Sequence, residues 1–138
     1  EVMSILNKIQ TILDSVLLQY GILSSHQRRI HVNEIENSNT QVNQDEYVVY
    51  RIVSTKSRFF GDGKKQALQT NIDINYFYRF DKNSNTVDNA LDRIHLISKT
   101  FDNLNECRII NGLNELYDLD NDFRGFNIEV ALLEVGDI

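Results

Sequence analysis

An acidic run near the C-terminus is the pattern that comes nearest to a metal site. Asp118, Asp120, Asp122 and Glu129 occupy positions 1, 3, 5 and 12 of an EF-hand loop, where carboxylates bind Ca²⁺. That loop also requires glycine at position 6, and position 6 here is Phe123. The flanking residues alternate as in strands, whereas an EF-hand loop joins two helices. We therefore interpret the run as a hairpin turn and predict no metal site.

The other residues that could take part in catalysis are scattered. His26, His31 and His95 lack the spacing of a metal site. Cys107 is the one cysteine and has no histidine and asparagine pattern beside it, so we predict a small buried side chain and no internal disulfide. Gly61–Gly63 lacks the following Lys-Ser/Thr of a phosphate-binding loop. The sequence predicts a protein without enzymatic activity and without a cofactor.

A basic and aromatic segment, residues 55–67, is the pattern that best fits a binding function. Its Gly61–Gly63 centre predicts an antiparallel hairpin, and its length predicts an arm that protrudes from the sheet. Three alternatives fit it: a finger that stacks on nucleic-acid bases, an arm that docks on a protein, or a solvated hairpin with both phenylalanines folded onto the core. Protein docking is favoured, because one short basic loop on a chain of net charge −6 gives little affinity for nucleic acid. The candidate residues are Arg58, Phe59, Phe60, Asp62, Lys64 and Lys65.

A second candidate contact segment spans residues 24–46, where the periodic pattern is lost. It begins with basic residues, alternates briefly between apolar and polar positions, and continues as a polar run. Extended connections of this length in compact domains usually bind something or are disordered. We expect an extended linker, with Arg28, Arg29, Ile30 and Val32 as its contact residues.

The element that must position these segments is a long strand from Leu68 to Phe80. Its even-numbered positions form an apolar face, which begins at Leu68 and includes Ile72 and Ile74. Its odd-numbered positions form a polar face, which includes Asn71 and Asp73. Successive strand side chains point to opposite faces, so one face is predicted to meet the core and the other to meet water.

Two amphipathic helices are predicted to cover the apolar face. The first runs from Val2 to Tyr20 and ends at Gly21, the residue type that favours a helix C-terminus. The second begins at an N-capping Thr86 and carries an apolar stripe as far as Leu104.

The remaining strands complete an α+β domain. Tyr47–Ser54 is apolar on both faces, which predicts a central or doubly covered strand. Two short pieces, 108–110 and 115–119, flank a turn at Asn111-Gly112, and Gly125–Val135 closes the chain. The predicted fold is an antiparallel sheet of about four strands with two helices packed on one face, in the order α-β-β-α-β-β, with a long β-hairpin arm.

The bulk composition fits one soluble domain spanning residues 1–138. An apolar fraction of 41% and a charged fraction of 25% are ordinary for a globular protein, and no apolar run approaches the ~20 residues of a membrane span. The net charge of −6 argues against a nucleic-acid-binding surface over the whole molecule.

This arrangement resembles the small tail terminator proteins (tail-completion or tail-to-head joining proteins) of long-tailed bacteriophages. The residues that carry the resemblance are the aromatic strand Tyr47–Tyr50, the loop Asp62–Lys64 and the strand Asp73–Tyr78. The order of the elements extends the resemblance from Val2 to Val135.

The resemblance implies a structural virion protein that forms a ring, usually hexameric, at the neck and is assembled in the host cytoplasm. Such a ring caps the tail tube protein, meets a head-completion or neck protein, and lets DNA pass through its channel without specific binding. It would involve no membrane. The residues expected on a lumen or subunit face are Asn71, Asp73, Asn75 and Glu129. Two alternatives stay open: another neck or head-completion connector, or a small nucleic-acid-binding or regulatory protein that uses the basic arm.

Overall fold

The computed structural model describes residues 4–27, 45–60, 65–82, 84–116 and 122–137, with the backbone alone described at 58–60, 65–66 and 135–137. Within these residues, two helices and five strands form one α+β unit. Both helices pack on the same face of the sheet, where one apolar cluster joins them to the strands. Within the described ranges, no helix is both long enough and apolar enough to cross a membrane.

The first helix, α1 (Ile5–Leu17), forms where the apolar period predicts it. The hydroxyl of Ser4 accepts a hydrogen bond from the Asn7 amide at 3.2 Å and caps the N-terminus. A single 3-10 turn then ends at Gly21, whose positive φ of 73° is the left-handed conformation that glycine adopts readily. The predicted stop at Gly21 is confirmed.

The second helix, α2 (Thr86–Asp102), is confirmed, but the prediction that Thr86 caps it is wrong. Asn85 is the N-cap and makes no side-chain capping bond. Thr86 instead lies in the first turn, where its hydroxyl accepts from the Asp81 amide at 3.1 Å. The preceding turn folds back on Thr86, which removes its hydroxyl from the capping position.

The sheet has the order β1-β2-β3-β5-β4, with β1 parallel to β2 and the other neighbours antiparallel. The strands are β1 (Leu23–His26), β2 (Glu46–Phe60), β3 (Lys65–Arg79), β4 (Cys107–Leu116) and β5 (Phe123–Asp137). The prediction of about four antiparallel strands is therefore wrong in detail. The missed strand is β1, because four residues after the turn are too few to show a period.

β4 differs from the prediction of two short pieces around a turn at Asn111-Gly112. It is one strand that passes through both residues, and its pairing with β5 shifts register on each side of Asn111. Such irregularities absorb extra residues into a strand without ending it.

The core face of β3 is confirmed over Ile72, Ile74, Tyr76 and Tyr78, all of which are buried in the main cluster. Leu68, which we predicted on that face, is instead 38% exposed. Its register opposite Glu134 keeps it on the helix side of the sheet, but it is not part of the buried cluster.

Candidate functional site

The predicted basic arm lies on a three-stranded extension of the sheet. β2 and β3 stay paired up to Phe60 opposite Lys65, and β5 runs along β3 as far as Asp137. We call residues 54–60 of β2, 65–71 of β3 and 131–137 of β5 the β-wing. The arm was predicted as a two-stranded hairpin; the third strand comes from the C-terminal end of the chain.

The structure places only part of the predicted arm and linker. Arg58, Phe59, Phe60 and Lys65 lie at the far end of the β2–β3 ladder, whereas Asp62 and Lys64 lie outside the described residues. The linker candidates Arg28, Arg29, Ile30 and Val32 also lie outside them. The start of the segment predicted as a linker is β1, which pairs with β2 from Leu23 opposite Tyr47 to His26 opposite Tyr50.

The four residues predicted on a lumen or subunit face share the face of the sheet opposite the helices. Asp73 lies directly opposite Glu129, and Asn75 lies opposite Asn127. The even-numbered residues between them, such as Ile72 and Ile74, point into the helix-covered core, so the odd-numbered ones point away from it. We call this surface the open face.

Cross-strand hydrogen bonds join these polar residues into rows on the open face. The Arg51 guanidinium contacts the Asp73 carboxylate at 3.0 Å, and the Asn111 amide donates to Glu129 at 2.6 Å. Arg51 and Asn111 thus flank two carboxylates that face each other, which reduces their repulsion. Further bonds run from Asn127 to Asn75 at 2.9 Å and from Asn71 to Ser54 at 3.0 Å, and Gln69 donates to Asn71 at 2.9 Å.

We call the open-face residues joined by these contacts the polar ladder: Arg51, Ser54, Gln69, Asn71, Asp73, Asn75, Asn111, Asn127 and Glu129. The polar ladder contributes little to stability for its size. The Arg51 side chain is 59% exposed, and an ion pair in such a position is worth about 0–1 kcal/mol. The ladder is therefore an ordered set of fixed donors and acceptors, exposed at Arg51 and buried at Gln69, and such a set suits contact with another surface.

One end of the open face is aromatic. The Tyr47 ring stacks on Phe77 at 5.1 Å between centroids and meets the edge of Phe123 at 5.5 Å, with Leu23 and Val49 packed against them. A mixed surface with an apolar part and a hydrogen-bonding part is typical of protein–protein contact sites.

A cavity of about 770 Å³ opens on the helix side, between the first turns of α2 and the adjoining ends of β2 and β3. At its base the Tyr76 hydroxyl and the Arg93 guanidinium both donate to one oxygen of Glu46, the latter at 3.1 Å. Arg93 also lies over the Tyr20 ring at 3.9 Å. Burial, followed by the hydrogen bond and the charge of Glu46, raises the pKa of Tyr76, so this hydroxyl is a donor at neutral pH.

The predicted role of Cys107 agrees with its surroundings. The side chain is buried, and burial, with the nearby Glu106, raises the pKa of the thiol to about 12. The reactive thiolate is therefore scarce at neutral pH. Across the part of the chain that the structure describes, no three His, Cys, Asp or Glu side chains come together in a group that could hold a metal ion.

Sequence reasoning missed the partners of the polar ladder, which are Arg51, Ser54, Asn111 and Asn127. Alternation along β2 puts Arg51 on the same face as Tyr47 and Val49, so the sequence indicates which face of the sheet Arg51 occupies. It does not indicate the register, and so it cannot identify Asp73 as the partner. The ion pair of Glu46 and Arg93 joins residues that are distant in the sequence and left no local signal. Comparison with models of known protein families finds no match, and comparison with curated proteins finds none either.

Proposed function

We propose that this protein is a structural, non-enzymatic virion component that forms a ring, caps the tail tube of a long-tailed bacteriophage and joins it to the head. The virion assignment depends on the resemblance carried by Tyr47–Tyr50, Asp62–Lys64 and Asp73–Tyr78. The observation that supports self-assembly is the open face, because both helices leave it uncovered and it combines an aromatic end with the polar ladder.

Charge supports the same function. In the ladder of the open face the two carboxylates of Asp73 and Glu129 outnumber the one guanidinium, that of Arg51, and the chain has a net charge of −6. A surface of this sign would let DNA slide past without sticking. In a ring the ladder would form either the lumen wall or the seam between subunits.

The first test is the mass of the protein in solution, by light scattering at tens of micromolar, alone and with polymerised tail-tube protein of the same phage. We expect a species near six times the 16.0 kDa chain mass, and an arrest of tube growth. A strict monomer under both conditions, with tube growth unaffected, would contradict the proposal.

Matched charge reversals test the surface. Arg51→Glu on the open face should reduce ring formation at least tenfold, because it adds a third acid beside Asp73 and Glu129. Lys99→Glu, at an exposed position on α2, should leave assembly unchanged. Equal effects of the two changes would remove the open face from the proposal.

Two further variants separate the alternatives. Phe59→Ala with Phe60→Ala should alter assembly or tail length if the arm docks on protein. DNA binding that weakens with salt and is lost in Lys64→Ala with Lys65→Ala would favour a nucleic-acid-binding function instead.

A further inference from the structure

The β-wing has two free strand edges among the described residues. β1 pairs with β2 only as far as Tyr50, which leaves the outer edge of β2 from Arg51 to Phe60 without a described partner. β4 pairs with β5 only from Leu132 towards the turn, and the Leu133 amide donates to the Glu106 carbonyl at 2.7 Å. Glu134–Asp137 therefore has no described partner on its outer side. Free strand edges present backbone donors and acceptors that another strand can pair with.

Both edges of the β-wing are regular. β3 and β5 pair without any register shift from Lys65 to Arg79, and β2 pairs with β3 without a shift from Ser54 to Phe60. The outer edge of β4 is also free in the described residues, but β4 contains two register shifts. Irregular edges of this kind resist strand addition, so the β-wing is the better template.

The two edges of the β-wing carry opposite charge. The sequence places Lys56 and Arg58, and no acid, on β2 from Ser54 outward, and it places no base on β5 beyond Leu133. The acid of β5 that matches them is Asp137, whose register opposite Lys65 gives it the same parity as Lys56 opposite Gln69. Glu134 has the other parity and already pairs with Lys8 on the helix side. Pairing β2 with β2, or β5 with β5, across a two-fold axis would bring like charges together. Pairing β2 with β5 brings unlike charges together, and a contact between two different edges generates a ring or a filament rather than a dimer.

We propose that the β2 edge of the β-wing in one copy of this chain pairs with the β5 edge of the β-wing in the next copy. β2 and β5 run in the same direction, since each is antiparallel to β3, so copies that face the same way would form a parallel pair. β2 already accepts a parallel neighbour in β1. This inference rests on the proposed function for its assembly and adds the contact that builds it.

Disulfide trapping with Ser57→Cys and Glu134→Cys in one chain tests this pairing. Both positions lie on the helix side of the sheet, since each is in register with Leu68 and Glu134 contacts Lys8 of α1 at 2.7 Å. Within one chain they are two strand spacings apart, about 9.6 Å, which exceeds the Cα separation that a disulfide can bridge. Any disulfide between them therefore joins two copies. The native Cys107 is buried and should stay out of the reaction at neutral pH.

We expect mild oxidation to convert most of the double variant into a ladder of covalent species larger than a dimer on a non-reducing gel. Thr55→Cys with Glu134→Cys samples a register two residues away on the same face, so that a ladder in either variant supports the pairing. Ser57→Cys with Glu115→Cys moves the second cysteine to the β4 edge on the same side of the sheet.

Three results would overturn the inference. A ladder only from the Glu115 variant would assign the contact to β4, and a dimer from Ser57→Cys alone would assign it to a two-fold pairing of β2 edges. No ladder from either Glu134 variant, in samples that light scattering shows to be rings, would mean that the rings close elsewhere or that the edge has an occupant from its own chain. That last result would leave the proposed function standing, whereas the absence of any assembly would count against the function itself.

Discussion

Gly125 shows how one residue allows the aromatic end of the open face to form. A Cβ built at Gly125 would lie 2.6 Å from the carbonyl oxygen of Tyr76 and 3.0 Å from a ring carbon of Phe77. The side chain of Phe77 therefore packs in the space that glycine leaves, and its ring stacks on Tyr47. At Gly112, in β4, no atom of the described residues lies within 4 Å of the equivalent Cβ position.

These two glycines predict opposite responses to alanine. Gly125→Ala should lower the free energy of unfolding by about 1–3 kcal/mol, because the added methyl group would displace the main chain at Tyr76 as well as the Phe77 ring. Gly112→Ala should change it by less than about 0.5 kcal/mol, or raise it slightly. Urea unfolding of both variants measures the difference. Equal losses would show that the Phe77 ring does not depend on the missing Cβ.

The base of the cavity is a second feature that depends on single residues. Glu46 accepts from Tyr76 and Arg93, and its carboxylate is mostly buried, with 16% of the side chain exposed. Removing one donor from a buried carboxylate costs more than the bond contributes, because the remaining charge stays desolvated. Tyr76 and Arg93 should thus be sensitive positions although neither lies on the proposed contact surface.

At the scale of the elements, α1 is stabilised by the packing of its apolar stripe on the sheet, since it is too short to be a stable helix by itself. Leu13 is 0% exposed in the main cluster, whereas Leu18, five residues later in the 3-10 turn, is 51% exposed. A helix of 13 residues is marginal in isolation, so packing has to supply its stability.

Leu13→Ala and Leu18→Ala form a matched pair that tests this. Leu13→Ala should lower the free energy of unfolding by about 2–5 kcal/mol, because it leaves a cavity under the sheet. Leu18→Ala should stay within about 0.5 kcal/mol, since its side chain already meets water. Thermal unfolding followed by circular dichroism compares them, and a loss at Leu18 as large as at Leu13 would mean that this exposed leucine is covered in the native protein.

The sequence predicts the elements that have a long apolar period and misses those that do not. Both helices, β3 and the closing strand β5 carry four or more buried residues at regular spacing, and all were predicted. β1 has only four residues, and β4 has a run of consecutive exposed residues that includes Asn111 and Gly112. Neither strand therefore shows the alternation of apolar and polar residues that predicts a strand. The third strand of the β-wing was missed because pairing depends on the register of β5, which no local pattern specifies.

The same limit applies to the candidate site. Alternation in β3 was enough to put Asn71, Asp73 and Asn75 on one face. Their cross-strand partners sit on β2 and β5, and which residue lies opposite which is decided by the sheet as a whole. The cavity and its Glu46–Arg93 pair likewise arise only when the fold brings the first turns of α2 close to the start of β2 and the end of β3.

At the scale of the whole molecule, the core holds ionisable groups in their neutral forms. Burial raises the pKa of Tyr50, Tyr76, Tyr78 and Cys107 above their ordinary values, with nearby carboxylates acting in the same direction. All four side chains lie in the cluster that joins the helices to the sheet. Ionisation of these four groups should therefore lower the free energy of unfolding at alkaline pH and leave it unchanged at acid and neutral pH.

Tyr76 provides the sharpest test of this dependence. In the unfolded chain its hydroxyl ionises near the ordinary tyrosine pKa of 10.0, and in the folded protein the pKa is higher. Above pH 10 the unfolded state therefore loses the proton first, so the stability that is present below pH 10 falls as the pH rises. The free energy of unfolding should decline more steeply in the native protein than in Tyr76→Phe, by about 1.4 kcal/mol per pH unit.

Urea unfolding at pH 8, 10 and 11 measures the two slopes, with Tyr20→Phe as a control that removes the hydroxyl of a 43% exposed ring. At pH 8 Tyr76→Phe should already be less stable by about 1–3 kcal/mol, because Glu46 loses a donor. The two curves should then converge as the pH rises, since the advantage of the native hydroxyl requires its proton. Parallel curves between pH 10 and 11 would show that Tyr76 ionises as readily in the folded protein as in the unfolded chain, and that its bond to Glu46 does not hold the proton in place.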